Sequence, residues 1–175
     1  MTIRSLGTMV PQIHPSAFIS EAAYIIGDVV IGPNSSVWPG AVVRADSCRI
    51  TIGAGTNIQD NSVLHADEEA TIGDNVTIGH GAVCHATGIG SGSLIGNGAV
   101  LNHGVELGEK CLVAAGSTVT ENKEFPEKSL IRGTPGKAIG TIRSRHEELQ
   151  RRAAEGYVKR VSQYRIEGGL ESVEE

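Results

Sequence analysis

The chain has 175 residues, with 15 Lys and Arg against 20 Asp and Glu, giving a formal net charge of −5. That balance excludes the basic stripe of a nucleic-acid binder, and no stretch is long and apolar enough to read as a membrane span. Aromatic residues make up only 3% of the chain while glycine occupies 23 positions, so a core must be built from small aliphatic side chains.

From the N-terminus, Met1-Thr2-Ile3-Arg4 runs straight into the patterned region, and no secretory leader is expected. An aliphatic residue then recurs every six positions at Ile13, Ile19, Ile25, Ile31, Val37 and Val43. The pattern resumes at Ile52, Ile58 and Leu64, and again at Ile72, Ile78 and Cys84. It runs last from Ile89 through Ile95, Leu101, Leu107 and Val113 to Val119. A small residue usually stands four positions further on, as at Ala17, Ala41, Ser62 and Ala82. A six-residue period fits neither a 3.6-residue helix nor an alternating hairpin strand. It marks an all-β parallel β-helix, in which three hexads close one triangular coil and the coils stack. Glycine and asparagine suit the corners, where positive φ costs them little.

Two insertions break the count, one between Val43 and Ile52 and one between Leu64 and Ile72, where Ala66 to Ala70 must bulge outward. After Val119 the hexads are expected to stop. Residues 120–140, with Phe125-Pro126 and Gly133-Thr134-Pro135-Gly136, read as an irregular connector closing a β-helix domain of residues 1–140. Residues 141–166 form one amphipathic α-helix with an inward stripe of Ile142, Leu149, Ala153, Tyr157, Val161 and Tyr164, weakened near Gly156. Such a helix would hide the edges of the coils. The acidic tail, residues 167–175, is expected to fray. Cys84 and Cys111 fall on inward positions and Cys48 in the first insertion. No spacing suggests a disulfide framework, which fits a reducing cytoplasm.

Counting three hexads per coil sorts the polar residues onto sides. Arg44, His65, His85 and Asn102 each follow an inward residue of one side, so they should stack in an outer column about 4.8 Å apart. Asp60 and His80 stack on a different side, with Gln59 beside Asp60. His65 and His85 can therefore share a metal ion. His80 precedes His85 by five residues, about 16 Å of extended chain, whereas a zinc–nitrogen bond spans only about 2.0–2.1 Å. His80 can thus join only the pair of an adjacent subunit. Heterologous contacts close into rings, and a triangular prism suits a homotrimer with one metal site per interface. His14, His103 and His146 read as bystanders.

Three stretches carry a family likeness: Val43-Arg44-Ala45-Asp46, Asn57-Ile58-Gln59-Asp60-Asn61-Ser62-Val63-Leu64-His65, and Ile78-Gly79-His80-Gly81-Ala82-Val83-Cys84-His85. Over residues 10–165 the chain resembles the gamma-class carbonic anhydrase family of left-handed β-helix proteins. The resemblance implies zinc, or iron or cobalt, bound by His65 and His85 of one subunit and His80 of the next. It implies that Gln59 bonds the metal-bound water with Asn57 orienting it, and that Arg44 and Asp60 pair between subunits with Asp46 in support. Tyr157 matches a helix tyrosine facing the site, with Tyr164 as its competitor. The implied activity is reversible hydration of carbon dioxide to bicarbonate by a metal-bound hydroxide at the trimer interface. Active relatives carry a long acidic loop with a glutamate shuttle. Here Asp67, Glu68 and Glu69 are the only candidates to move the proton, so hydration is expected to be slow or buffer-dependent. An acyltransferase or thioesterase on the same scaffold, or a non-catalytic metal-binding or assembly homologue, are the rival readings.

Overall fold

In a computed structural model covering residues 2–166, the chain winds as a left-handed parallel solenoid of about seven turns followed by one helix. The acidic tail assigned to residues 167–175 lies outside the described residues. Strand pairing follows the hexads and defines three faces. Face A stacks Ile3, Ile25, Val43, Leu64, Cys84, Leu101 and Val119 in parallel register. Face B stacks Ile13, Ile31, Ile52, Ile72, Ile89, Leu107 and Phe125. Face C stacks Ile19, Val37, Ile58, Ile78, Ile95, Val113 and Ile131. Because every coil sends the same hexad position inward, these columns merge into one continuous buried core.

Where the small residue at the corner of a hexad is Ser or Thr, it works as a polar rivet. Ser35, Thr56, Ser62 and Ser93 donate their buried hydroxyls to the carbonyls of Gly53, Gly73, Gly79 and Gly108 on the next coil. Ser35, Thr56 and Ser93 also accept a backbone N–H from the following coil. A hydroxyl is tolerated in the core because each is satisfied on site. At the corner between faces C and A, Gly40 and Asn61 both adopt positive φ, and the Asn61 side chain fills the space a Cβ on Gly40 would need.

The first insertion does not detach from the solenoid. It extends the strand Val42–Ile52, which bends from face A to face B with a register shift opposite Gly27 and Val29. The second lifts Asp67, Glu68 and Glu69 to the surface between buried Ala66 and Ala70.

The irregular connector expected over residues 120–140 is absent. Phe125 and Ile131 continue the columns of faces B and C, and Gly136–Thr141 folds back antiparallel on Ser129–Gly133. An aromatic residue at a hexad position and a proline just after it hid this last coil from the aliphatic count.

Helix α1 (Ser144–Ile166) lies along face C and runs back toward the first coils. At its start, Gln150 donates to the Lys110 and Cys111 carbonyls; near its end, Arg165 donates to those of Pro15 and Ala17. Its buried stripe is Gln150, Ala154 and Val161, with Tyr157 packed alongside, whereas Leu149 is exposed. The expected stripe was thus rotated at its N-terminal half, because Gln150 finds two carbonyls that an aliphatic side chain could not satisfy.

Candidate metal centre

On face A the parallel register aligns Arg44 with His65, and His85 follows on the next coil. The His65 and His85 rings stack with centroids 5.1 Å apart and planes 18° from parallel. His65 Nδ1 donates to the Arg44 carbonyl at 2.8 Å, so its Nε2 carries the lone pair and points outward. The carboxylate of Asp67 sits opposite both rings, with Oδ1 3.4 Å from His65 Nε2 and Oδ2 3.2 Å from His85 Nε2. His85 Nε2 is nonetheless buried with no aligned hydrogen bond. The two imidazoles and the carboxylate therefore face a shared space, each offering a ligand atom within 4.8 Å of the others. A divalent cation fits that donor set, since an orphaned buried imidazole nitrogen is costly without a partner.

His80 stands apart on face C. Its Nδ1 lies 2.9 Å from Asp60 Oδ2, and its Nε2 is 3.4 Å from the Tyr157 hydroxyl. A carboxylate behind one ring nitrogen is the common support of a metal-binding imidazole, because it fixes the ring and raises its basicity. Beside it, Gln59 is buried and donates to Asn57 Oδ1 at 3.0 Å, while Asn57 donates to Thr77 Oγ1 at 2.9 Å. The His65–His85 pair and His80 thus lie on different faces of the protomer.

The model for the bacterial transferase hexapeptide (six repeats) matches residues 11–45 and 86–121. Gamma carbonic anhydrase 2 of Arabidopsis thaliana mitochondria is 36% identical over 156 residues, which is 85% of this chain and 56% of that protein. The carnitine operon protein CaiE of Escherichia coli is 37% identical over 136 residues, 77% of this chain and 69% of its own length. The chain belongs to the gamma carbonic anhydrase family of hexapeptide-repeat proteins. A solved hexapeptide transferase family protein from Anaplasma phagocytophilum superposes with a TM-score of 0.89 at 35% identity, covering 93% of this chain and 98% of that one. The chain spans little more than half the length of the plant relative.

Within this gamma carbonic anhydrase family member, the remaining polar residues are distributed as follows. Arg44 pairs with Asp46 inside the protomer, and that guanidinium holds the Asp46 carboxyl below its ordinary value. Asp46 Oδ1 is left buried and unpartnered. Asp60 meets His80 and not Arg44 within one chain. Burial raises the Tyr157 phenol above its ordinary value, so it stays protonated near neutrality. Tyr164 instead packs edge-on against Phe18 and Trp38. Glu68 reaches to 3.9 Å from His103, and Glu69 is exposed.

His103, set aside in the sequence as a bystander, lies edge-on to His85 at 5.3 Å, and its Nδ1 is buried without a partner. Its position directly after Asn102 in the column was the available signal. The position of Asp67 could not have been read, because the hexad count says nothing about where an insertion folds.

Proposed function

We propose that the protein is a metal-dependent carbonic anhydrase, hydrating carbon dioxide to bicarbonate at sites between the subunits of a homotrimer. The observation that carries this reading is the pairing of His65 and His85 at one face with an orphaned buried nitrogen, while a carboxylate-backed His80 waits on another. Nε2 of His65 and His85 together with His80 of the partner subunit would hold zinc, with iron or cobalt as chemical alternatives. When bound, such a cation supplies Lewis acidity that brings the pKa of a water toward neutrality.

The chain's own groups do the rest. The Arg44 carbonyl and the Asp60 carboxylate hold His65 and His80 in the tautomers that leave the lone pair on Nε2, although in the single chain the Tyr157 hydroxyl lies beside that of His80. Gln59, fixed by Asn57, presents a carboxamide to the attacking water, and Tyr157 stands beside His80 as a neutral donor. Arg44, its guanidinium steadied by Asp46, would meet Asp60 of the partner subunit. Hydration releases one proton per turnover, and Glu68 beside His103, with Glu69 exposed next to it, is the short acidic exit. So short a loop supports slow, buffer-dependent turnover. Three free cysteines suit a reducing cytoplasm, and among the described residues no helix is long and apolar enough to cross a membrane.

The test is metal analysis of purified protein, with carbon dioxide hydration followed by stopped flow for wild type and His80→Ala. Stoichiometric metal and activity in the wild type are expected, with activity sharply reduced and metal held more weakly in the variant. Full metal and unchanged rates after His80→Ala would remove the reading. Acyl transfer, the rival suggested by the transferase relative, predicts acyl-CoA binding that survives removal of the metal.

A further inference from the structure

We infer that Asp67 is a third metal ligand inside each protomer, so that His65, Asp67 and His85 capture a divalent cation before His80 of the partner subunit completes the site. The inference rests on the metal-site reading above and adds a ligand to it.

Three observations converge. First, the spacing is right for shared coordination. Ligands about 2.0–2.1 Å from a tetrahedral ion lie about 3.3 Å from one another, and the Asp67 oxygens are 3.4 and 3.2 Å from the two Nε2 atoms. Second, the contacts are not ordinary ion pairs. His65 already donates through Nδ1, and His85 Nε2 lacks an aligned acceptor despite the nearby oxygen. Each of the three residues offers one ligand atom within 4.8 Å of the others, and lone pairs brought that close repel unless a proton or cation intervenes. Third, the loop carrying Asp67 is anchored. The Cys48 thiol donates to the carbonyls of Ala66 and Glu68, on either side of Asp67, at 3.3 and 2.6 Å. Ala66 and Ala70 are buried at its ends. An otherwise exposed carboxylate is thereby held over the imidazoles instead of sweeping through solvent.

Two imidazoles and one carboxylate are a sufficient protein set for zinc or another first-row cation. A protomer equipped this way takes up metal ahead of assembly, and arrival of His80 then displaces Asp67 or adds a fourth protein ligand.

The experiment uses the full chain as wild type, His80→Ala, Asp67→Asn and the double variant. Zinc affinity is read by competition with a chromophoric chelator, and cobalt(II) loading by its visible absorption bands. Removing an outer-shell partner of a ligand typically costs 10–100-fold in metal affinity, so removing a direct ligand should cost at least about tenfold. We expect His80→Ala to bind one zinc per chain with weakened affinity, and the double variant to lose at least about a further tenfold. Asp67→Asn should also alter the cobalt bands of the His80→Ala protein. If Asp67→Asn leaves both affinity and spectrum unchanged in that background, Asp67 is not a ligand. Failure of the interface model reads differently: His80→Ala would then bind zinc as tightly as wild type, whatever Asp67 does.

Discussion

A thiol buried among aliphatic side chains loses most of its chemistry, and the inward cysteines of this solenoid are of that kind. Burial pushes the Cys84 thiol up to about 12, and desolvation raises Cys111 as well. Cys48 is also raised, by partial burial and then by the charge of Asp67 and its neighbours. Only thiolate reacts with a disulfide reagent. At pH 8 the native protein should therefore leave Cys84 and Cys111 unmodified, with labelling slower than in denaturant by about a thousandfold or more, the scale of global opening. Cys48 should react slowly by comparison with a free thiol, and all three should react at once in guanidinium. Because the folded-state value of Cys84 is raised, the unfolded chain ionises first. Its contribution to stability is complete below the ordinary thiol value of 9.0 and is lost as pH rises from there toward about 12. Denaturant midpoints measured from pH 7 to pH 11 should fall in the upper part of that range.

The helix is the element where one residue works against the rest. Gly156 lies in the interior of α1, is exposed, and has nothing within 4 Å of where a Cβ would sit. Glycine there adds unfolded-state entropy without relieving any crowding, so Gly156→Ala should stabilise by about 0.5–1 kcal/mol. Thermal denaturation checks it, and a lower Tm would mean that the helix has to bend at that position. This weakness was legible in the sequence, as were the columns of faces A to C, because an inward side chain every six residues leaves few alternatives. The split of His65 and His85 from His80 followed from the same count. The last coil was not legible. Phe125 fills a hexad position with an aromatic ring, and Pro126 beside it looks like a breaker until the parallel register with Leu107 is seen. The helix stripe was legible only in its C-terminal half, where Val161 packs on Trp38; Gln150 is inward for its amide, which no hydrophobic pattern records. The placement of Asp67 was invisible for a third reason: an insertion folds according to its anchors, here the Cys48 thiol, and not according to the repeat.

At the scale of the whole molecule, the metal site proposed above, divided between two faces, demands an ordered contact. Face A of one subunit must meet face C of the next, and such a heterologous contact is satisfied everywhere only in a closed ring. This makes complementation between two defective chains the most direct check of the trimer. One chain carries His80→Ala and keeps face A intact. The other carries His65→Ala with His85→Ala and keeps the His80 half-site, supported by Asp60 and Tyr157, intact. Neither alone can build a three-histidine site. In trimers refolded from an equimolar mixture, an interface is complete only when the first chain supplies face A and the second supplies face C, in that order. Random assembly gives each choice a chance of one half, so about a quarter of the interfaces should be complete. Zinc retained after dialysis against a chelator strong enough to strip the two-histidine half-site should therefore rise from near zero in each separate variant to about a quarter of the wild-type content in the mixture. A mixture that retains no more than its separate components would place all three histidines' work within a single chain, which their separation across two faces opposes. A recovery of about one third, the ceiling reached when every trimer is mixed, would mean that the two chains prefer each other to themselves, and sedimentation of the purified mixed trimers would then show an excess of the hetero-assembled species.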